Sequence, residues 1–276
     1  MAKMNKFKRV CADTNVLIAL ALLAERGERT FISANIAGKS NRYANKQYAE
    51  DIKALQNFID AKSIELVLPP QVMYELQYRE KEFDENGNKV DLTKEAIALQ
   101  NLKDLTLEYL KKHPGIKVAR ILPNRKEQFF KNSEMLANEY VNTYHIFEPN
   151  NMGNVPSDAT IIAQVTSLGL DFLTRDQHFH SKHYLSSKSK AEKIAISNKN
   201  LGNQYPTKIF NFQDLQSEFI NKTAYGDIRK KKYFNDNTPI ANCTYMDYNE
   251  YLEDRALERK NHMAWIQKHT SPTQDK

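Results

Sequence analysis

VPSDATIIAQVTSLGLDFLTRDQHF, residues 155–179, decides how the rest of the chain is read. Ala159, Ile162, Ala163 and Thr166 recur at helical spacing, and Ser157 ahead of them has the short hydroxyl side chain of a helix N-cap. Gly169 follows as a residue able to take the left-handed conformation that ends a helix. Leu170 to Thr174 then reads as a short buried strand. One acid, Asp158, opens the helix, and a second, Asp176, lies just past the end of the strand.

The same helix-and-strand grammar extends in both directions. In KRVCADTNVLIALALLA, residues 8–24, Arg9 to Ala12 reads as a buried strand, and the leucine-rich run from Val16 has helix length. Asp13 sits at the break between them. In SIELVLPPQVMYEL, residues 63–76, a strand from Ile64 to Leu68 stops at two prolines. Pro70 suits a first helical turn, and Glu75 falls in the opening turns of that helix. Further helices are predicted from about Gln47, from Asp91 as cap to about Lys112, and from Arg125 to about Tyr144. The second of these would bury a stripe of Leu92, Ala96, Leu99, Leu102 and Tyr109 or Leu110. Ile116 to Leu122 is a third strand and Ile209-Phe210 a short last one, followed by a helix from Phe212 to Asn221. Residues 180–193, rich in Lys and Ser, are expected to be mobile, and a last helix is predicted from about Tyr248 to His269.

Alternating strands and helices imply an α/β fold, with a central, mostly parallel sheet of about five strands flanked by helices. The expected organisation is one domain over 1–222, with a helical insertion at about 76–150, then a C-terminal extension over 223–276 with one helix and a frayed end. Hydrophobic residues make up 41% and charged ones 27%, and 8 Gly with 9 Pro exclude a collagenous or broadly low-complexity chain. A net charge of +6 favours an acidic partner through the long-range field. Two cysteines, Cys11 in an apolar run and Cys243, do not make a disulfide framework. The apolar run Val16 to Ala24 is too short to span a bilayer, and Glu25, Arg26 and Glu28 follow it in place of a small-residue cleavage site. A cytoplasmic protein without a membrane partner is the expectation.

In open parallel sheets, ligands bind beyond the carboxyl ends of the strands. Asp13, Glu75 and Asp176 fall on that rim, and Asp158 joins them if its long connection returns there. Four carboxylates in one pocket repel as bare anions, so a hard divalent cation is implied, and an all-oxygen set suits Mg²⁺ or Mn²⁺. Asn15 and Thr174 are neutral donors placed to orient a carboxylate or a bound water. Arg175 is placed to neutralise a phosphate, Arg26 and Arg29 open a basic segment after the first helix, and Lys182 heads a further group with Lys188, Lys190 and Lys193. His178, His180 and His183 match no zinc-ligand spacing.

At these residues the chain resembles the PIN-domain nucleases. The matching stretches are ADTNVLI with Asp13 and Asn15, LPPQVMYEL with Glu75, and DATIIAQVTSLGLDFLTRD with Asp158, Thr174 and Asp176. The resemblance covers roughly residues 7–220 in scattered blocks. It implies a central parallel sheet flanked by helices, a Mg²⁺ or Mn²⁺ site on the four acids, and endonucleolytic cleavage of RNA. Water would attack in line, leaving a 5′-phosphate and a 3′-hydroxyl. Many relatives are toxins of toxin–antitoxin pairs, so an antitoxin protein joins the expected partners, and homodimers are usual in families of this kind. A longer loop after the first helix, a longer segment between Glu75 and Asp158, and the tail depart from the compact toxins. Rival readings are a structure-specific DNA nuclease and a non-catalytic RNA- or protein-binding domain of the same fold. A dehalogenase-like phosphatase would need an acid two residues after Asp13, where Asn15 stands.

Overall fold

The computed structural model describes residues 8–27, 35–36, 39–40, 46–79, 92–149, 154–176, 179–180, 188–201, 207–211 and 243–270. The chain opens with β1 (Lys8–Ala12) and α1 (Thr14–Arg26), then a two-stranded ribbon of β2 (Asn35–Ile36) and β3 (Lys39–Ser40). There follow α2 (Lys46–Asp60), β4 (Ile64–Leu68), α3 (Pro70–Gln77), α4 (Lys94–Lys112), β5 (Ile116–Ile121) and α5 (Lys126–Asn138). The last elements are α6 (Ser157–Ser167), β6 (Asp171–Leu173), α7 (Lys190–Asn200), β7 (Ile209–Phe210), β8 (Cys243–Met246) and α8 (Tyr248–Thr270).

Six strands form one mixed sheet in the order β7-β6-β1-β4-β5-β8, flanked by helices. All neighbouring pairs are parallel except β5 with β8. Parallel neighbours need crossover connections, and the helices between the strands supply them. Position Arg9 of β1 stands opposite Glu65 of β4, and their side chains pair at 2.5 Å across the ladder. β1 lies between β6 and β4, so Val10, Cys11 and Ala12 are fully buried, and burial pushes the Cys11 thiol well up. Among the described residues no helix is long and apolar enough to cross a membrane.

The apolar run of α1 has a structural cause. Every residue from Val16 to Leu22 is buried, because the helix packs against α2 and α4 and also touches α3. α6 is enclosed in the same way between α3 and α5, with Ala159 and Ala163 allowing close approach. Behind it Tyr140, in a turn of π-helix over Glu139–Thr143, is fully buried and donates its hydroxyl to Asn198 Oδ1 at 2.6 Å. The π turn swings that ring inward and ties α5 to α7.

Several expectations are corrected. The sheet has six strands rather than about five, because β8, beyond residue 222, pairs with β5. The C-terminal extension therefore contributes a strand as well as a helix. The strand expected at Ile116 to Leu122, inside the segment 76–150, is β5 and belongs to the main sheet. α4 is capped by the Thr93 hydroxyl, which accepts from the Ala96 N–H at 3.1 Å, while Asp91 lies outside the described residues. Leu99 is exposed rather than part of the buried stripe. Residues 190–200 form α7, with Ser189 and Glu192 making a reciprocal capping box where mobility was expected from the Lys and Ser content. The helix predicted at 212–221 lies outside the described residues.

Gly169 closes α6 at φ 67°, with its N–H on Thr166 O and the Leu170 N–H on Val165 O. A side chain in that left-handed conformation costs about 1–2 kcal/mol. Gly169→Ala should lower the urea midpoint by a corresponding amount without changing the slope of the transition.

Candidate functional site

Asp13 leaves the end of β1 in an extended conformation, and its carboxylate does not cap α1. It turns instead to β6: Thr174 donates its hydroxyl to Asp13 Oδ2 at 2.8 Å, and the Asp13 N–H donates to Leu173 O at 3.0 Å. The side chain of Asn15 adds a hydrogen bond to the same carboxylate. Thr174 is fully buried, and its single hydroxyl proton is committed to Asp13. Its oxygen in turn accepts from the Asp176 N–H at 3.0 Å. One hydroxyl thus fixes the backbone at Asp176 and the carboxylate of Asp13.

Glu75 reaches the same rim from α3. Ser157 donates to its Oε1 and Thr14 to its Oε2. Ser157 also accepts from Gln71 Nε2 at 3.0 Å, and the Gln71 N–H, one of the donors left over at the start of α3, is taken by Gln164 Oε1 at 2.8 Å. These bonds anchor α3 to α6 and bring Asp158, in the first turn of α6, toward Glu75. Ser157 is the first residue of α6 rather than its cap, which is Pro156, and its hydroxyl serves Glu75 and Gln71.

The electrostatics tie Asp13 and Asp158 to the neighbouring acids. Burial raises Asp13 from 3.8 to about 6; the Thr174 and Asn15 bonds oppose that rise, and the charges of Asp158 and Glu75 add to it. Asp158 is raised too, by partial burial and then by Asp176 and Glu75. Among the described residues, the opposing influence on Asp158 is the charge of Lys190 at the start of α7. The Lys190 ammonium stands 5.1 Å from the centre of the Phe147 ring, and Phe147 packs edge-on against Phe179. The Phe179 N–H donates to Asp176 O, so the segment bearing Asp176 and the lysine share one aromatic support.

The expected substrate cations divide. Arg175 is half-buried between Thr174 and Asp176. Arg26 ends α1, roughly 18–20 Å from Asp13 at ~1.5 Å per residue, because the helix carries it away from the rim. Arg29, Lys182, His178 and His183 lie outside the described residues. Thr14, Ser157 and Gln71 belong to the site without having been singled out as its residues, and Lys190 was named only as one of a group of four lysines. The signal for the first two was adjacency, since a hydroxyl residue directly precedes or follows an acid at 13–14 and 157–158. A separate cavity on the far side of α3 is lined by Pro70, Met73, Arg120, Phe130 and Tyr251. Its cations are paired with α8, Arg120 with Asp254 and Glu258, and Lys126 with Glu258, so it docks that helix.

The donor set suits a hard cation: four carboxylates, with hydroxyls and an amide steering three of their oxygens and mutual repulsion for a cation to relieve. Among the described residues no three acidic, histidine or cysteine side chains converge at metal-binding spacing. Glu75 has both oxygens turned to hydroxyls. No family model matches the chain, and no curated protein or solved structure matches it.

Because Asp13 has a raised folded pKa, the fold favours its protonated form, and stability is lost as pH rises from about 4 through about 6. Asp13→Asn removes that charge. In metal-free buffer the variant should melt above the parent chain at pH 7.5, by on the order of 2 kcal/mol, with the gain shrinking toward pH 4. Equal melting temperatures across that range would contradict the burial of a charged Asp13.

Proposed function

We propose that this chain is a PIN-like endoribonuclease dependent on Mg²⁺ or Mn²⁺, acting at the rim formed by Asp13, Glu75, Asp158 and Asp176. The observation that carries the reading is that Asp13 and Asp158 are both raised at the carboxyl end of a parallel sheet, first by burial and then by the neighbouring carboxylates, Glu75 acting on both. A cluster built only for stability would not hold like charges together. When bound, the divalent cation supplies the positive charge the cluster lacks and Lewis acidity toward a phosphodiester and its attacking water.

The chain's own groups divide the remaining work. Asp13, Asp158 and Asp176 are the residues that would hold the cation, with Glu75 as the fourth. Thr174 and Asn15 keep Asp13 oriented through donated hydrogen bonds, so the carboxylate presents one fixed edge. Thr14 and Ser157 do the same for Glu75. Lys190 faces Asp158 from α7, so a phosphate entering beside that acid meets a cation already held in place by Phe147. Arg175 is the second cation at the rim.

Asp13→Asn and Asp176→Asn should each abolish Mg²⁺- or Mn²⁺-dependent cleavage of RNA while leaving the fold intact, as read by circular dichroism and a gel assay with an EDTA control. An unchanged rate in either variant would remove the acids from the chemistry. Millimolar Mn²⁺ should raise the melting temperature of the parent chain, and do so less for Asp13→Asn. Matched RNA and DNA oligonucleotides decide the sugar preference.

Lys190→Ala should weaken substrate binding more than it slows turnover, by roughly tenfold in KM, as expected for loss of a phosphate contact. A loss confined to kcat would instead place the lysine at the reacting atoms.

A further inference from the structure

Beside Glu75, α3 and the residue that follows it carry two large rings exposed to solvent. Tyr74 is 58% exposed and Tyr78 47%, whereas Val72, Met73 and Leu76 of the same helix are buried. At ~100° per residue, Tyr74 lies about 100° and Tyr78 about 60° to the same side of Glu75, so both rings share the helix face that flanks the carboxylate. Tyr78 stands about 4.5 Å further along the axis than Glu75 at ~1.5 Å per residue, which continues the line that Gln71 and Glu75 begin. The ring centres are 5.8 Å apart with a 42° tilt. Lys103 of α4 holds its ammonium 5.6 Å from the Tyr78 ring, and Arg79 follows directly, bonded to the carbonyls of Leu76 and Tyr78 and paired with Asp104.

Neither ring is covered as a packing role would require. Two rings bordered by charges also do not make the broad apolar surface of a protein interface. Two half-exposed rings, one with the Lys103 ammonium over it and Arg79 beside it, in a chain of net charge +6, match single-stranded nucleic acid: bases stack on the exposed ring surface and phosphates run past the cations. In an A-form duplex the base faces are already stacked on one another and offer no such surface.

We propose that Tyr74 and Tyr78 form a stacking platform for unpaired nucleotides next to the cut phosphate, so that the site selects single-stranded over duplex RNA. The proposal rests on the nuclease reading above. Its mechanism is steric and electronic: a base laid on Tyr74 or Tyr78 directs the adjoining phosphate along α3 toward Glu75, and a duplex gains nothing from the rings.

The test measures binding in the Asp13→Asn background, where no substrate is consumed. A short fluorescein-labelled RNA, alone or annealed to its complement, is titrated by anisotropy. The pair Tyr74→Ala and Tyr78→Ala should weaken single-strand binding by about tenfold or more, within the roughly 5- to 150-fold range of one lost base stack, with a smaller loss for duplex. Tyr74→Phe with Tyr78→Phe keeps both π faces and should retain the affinity. Melting temperatures of both pairs should stay within about 2 °C of the background, since the residues are exposed. Unchanged single-strand affinity in the alanine pair, or an equal loss on duplex, overturns the platform. If the parent chain still cleaves RNA in that case, the platform fails alone. If it neither cleaves nor binds RNA, the nuclease reading fails and the platform with it.

Discussion

Asp13 brings a negative charge to the end of the sheet where β1 and β6 run side by side, with little water to solvate it. The hydroxyl of Thr174 answers that charge across 161 residues of chain, and the backbone bond from Asp13 to Leu173 O sets the register that makes the answer possible. Everything at the rim is arranged around this pair. Asp176 takes its place because its N–H completes the hydrogen bonding of the same hydroxyl. Glu75 and Asp158 are delivered by α3 and α6, two helices joined at their starts through Gln71, Ser157 and Gln164.

The arrangement stores electrostatic tension without distributing it evenly. Asp13, the most enclosed of the acids for which a shift is resolved, is displaced to about 6, whereas Asp158 stands nearer solvent and has Lys190 to offset its neighbours. A group half protonated near pH 6 would have to give up its proton for any cation bound there, so on the proposed reading cation uptake and proton release would be linked at this carboxylate. The aromatic support under Lys190 keeps a long, flexible side chain from wandering away from the acids, and a lysine held in place loses less entropy when it meets an anion.

The α/β class, the central strands and the relative order of the acids could be read from the chain because each rests on local pattern. Ile64–Leu68 and Ile209–Phe210 are found where their apolar runs place them, and Gly169 ends its helix as its freedom of φ suggests. β8 was not legible: CTYM is short, lies far from its partner in sequence, and becomes a strand only through pairing with β5. α7 was hidden for a different reason. Its Lys- and Ser-rich composition masks a helix that buries only Ile194, Ser197 and Asn198 and depends on its Ser189 cap. At the site, acids stand out by type, whereas the hydroxyls that orient them look like ordinary turn and cap residues until the tertiary contacts are seen. Lys190 could be listed among several lysines but not distinguished from them, because only the fold decides which one faces Asp158.

The antiparallel pairing of β8 with β5 also bears on how the molecule keeps to itself. A parallel sheet ending at β5 would present six residues of backbone N–H and C=O groups, an open template for strand addition by another chain. β8 covers four of those positions, and its own outer edge is short. At the opposite border β7 is only two residues long. A chain that lost its last segment would thus keep its acids yet uncover a sticky border, so clumping would be the first symptom of truncation.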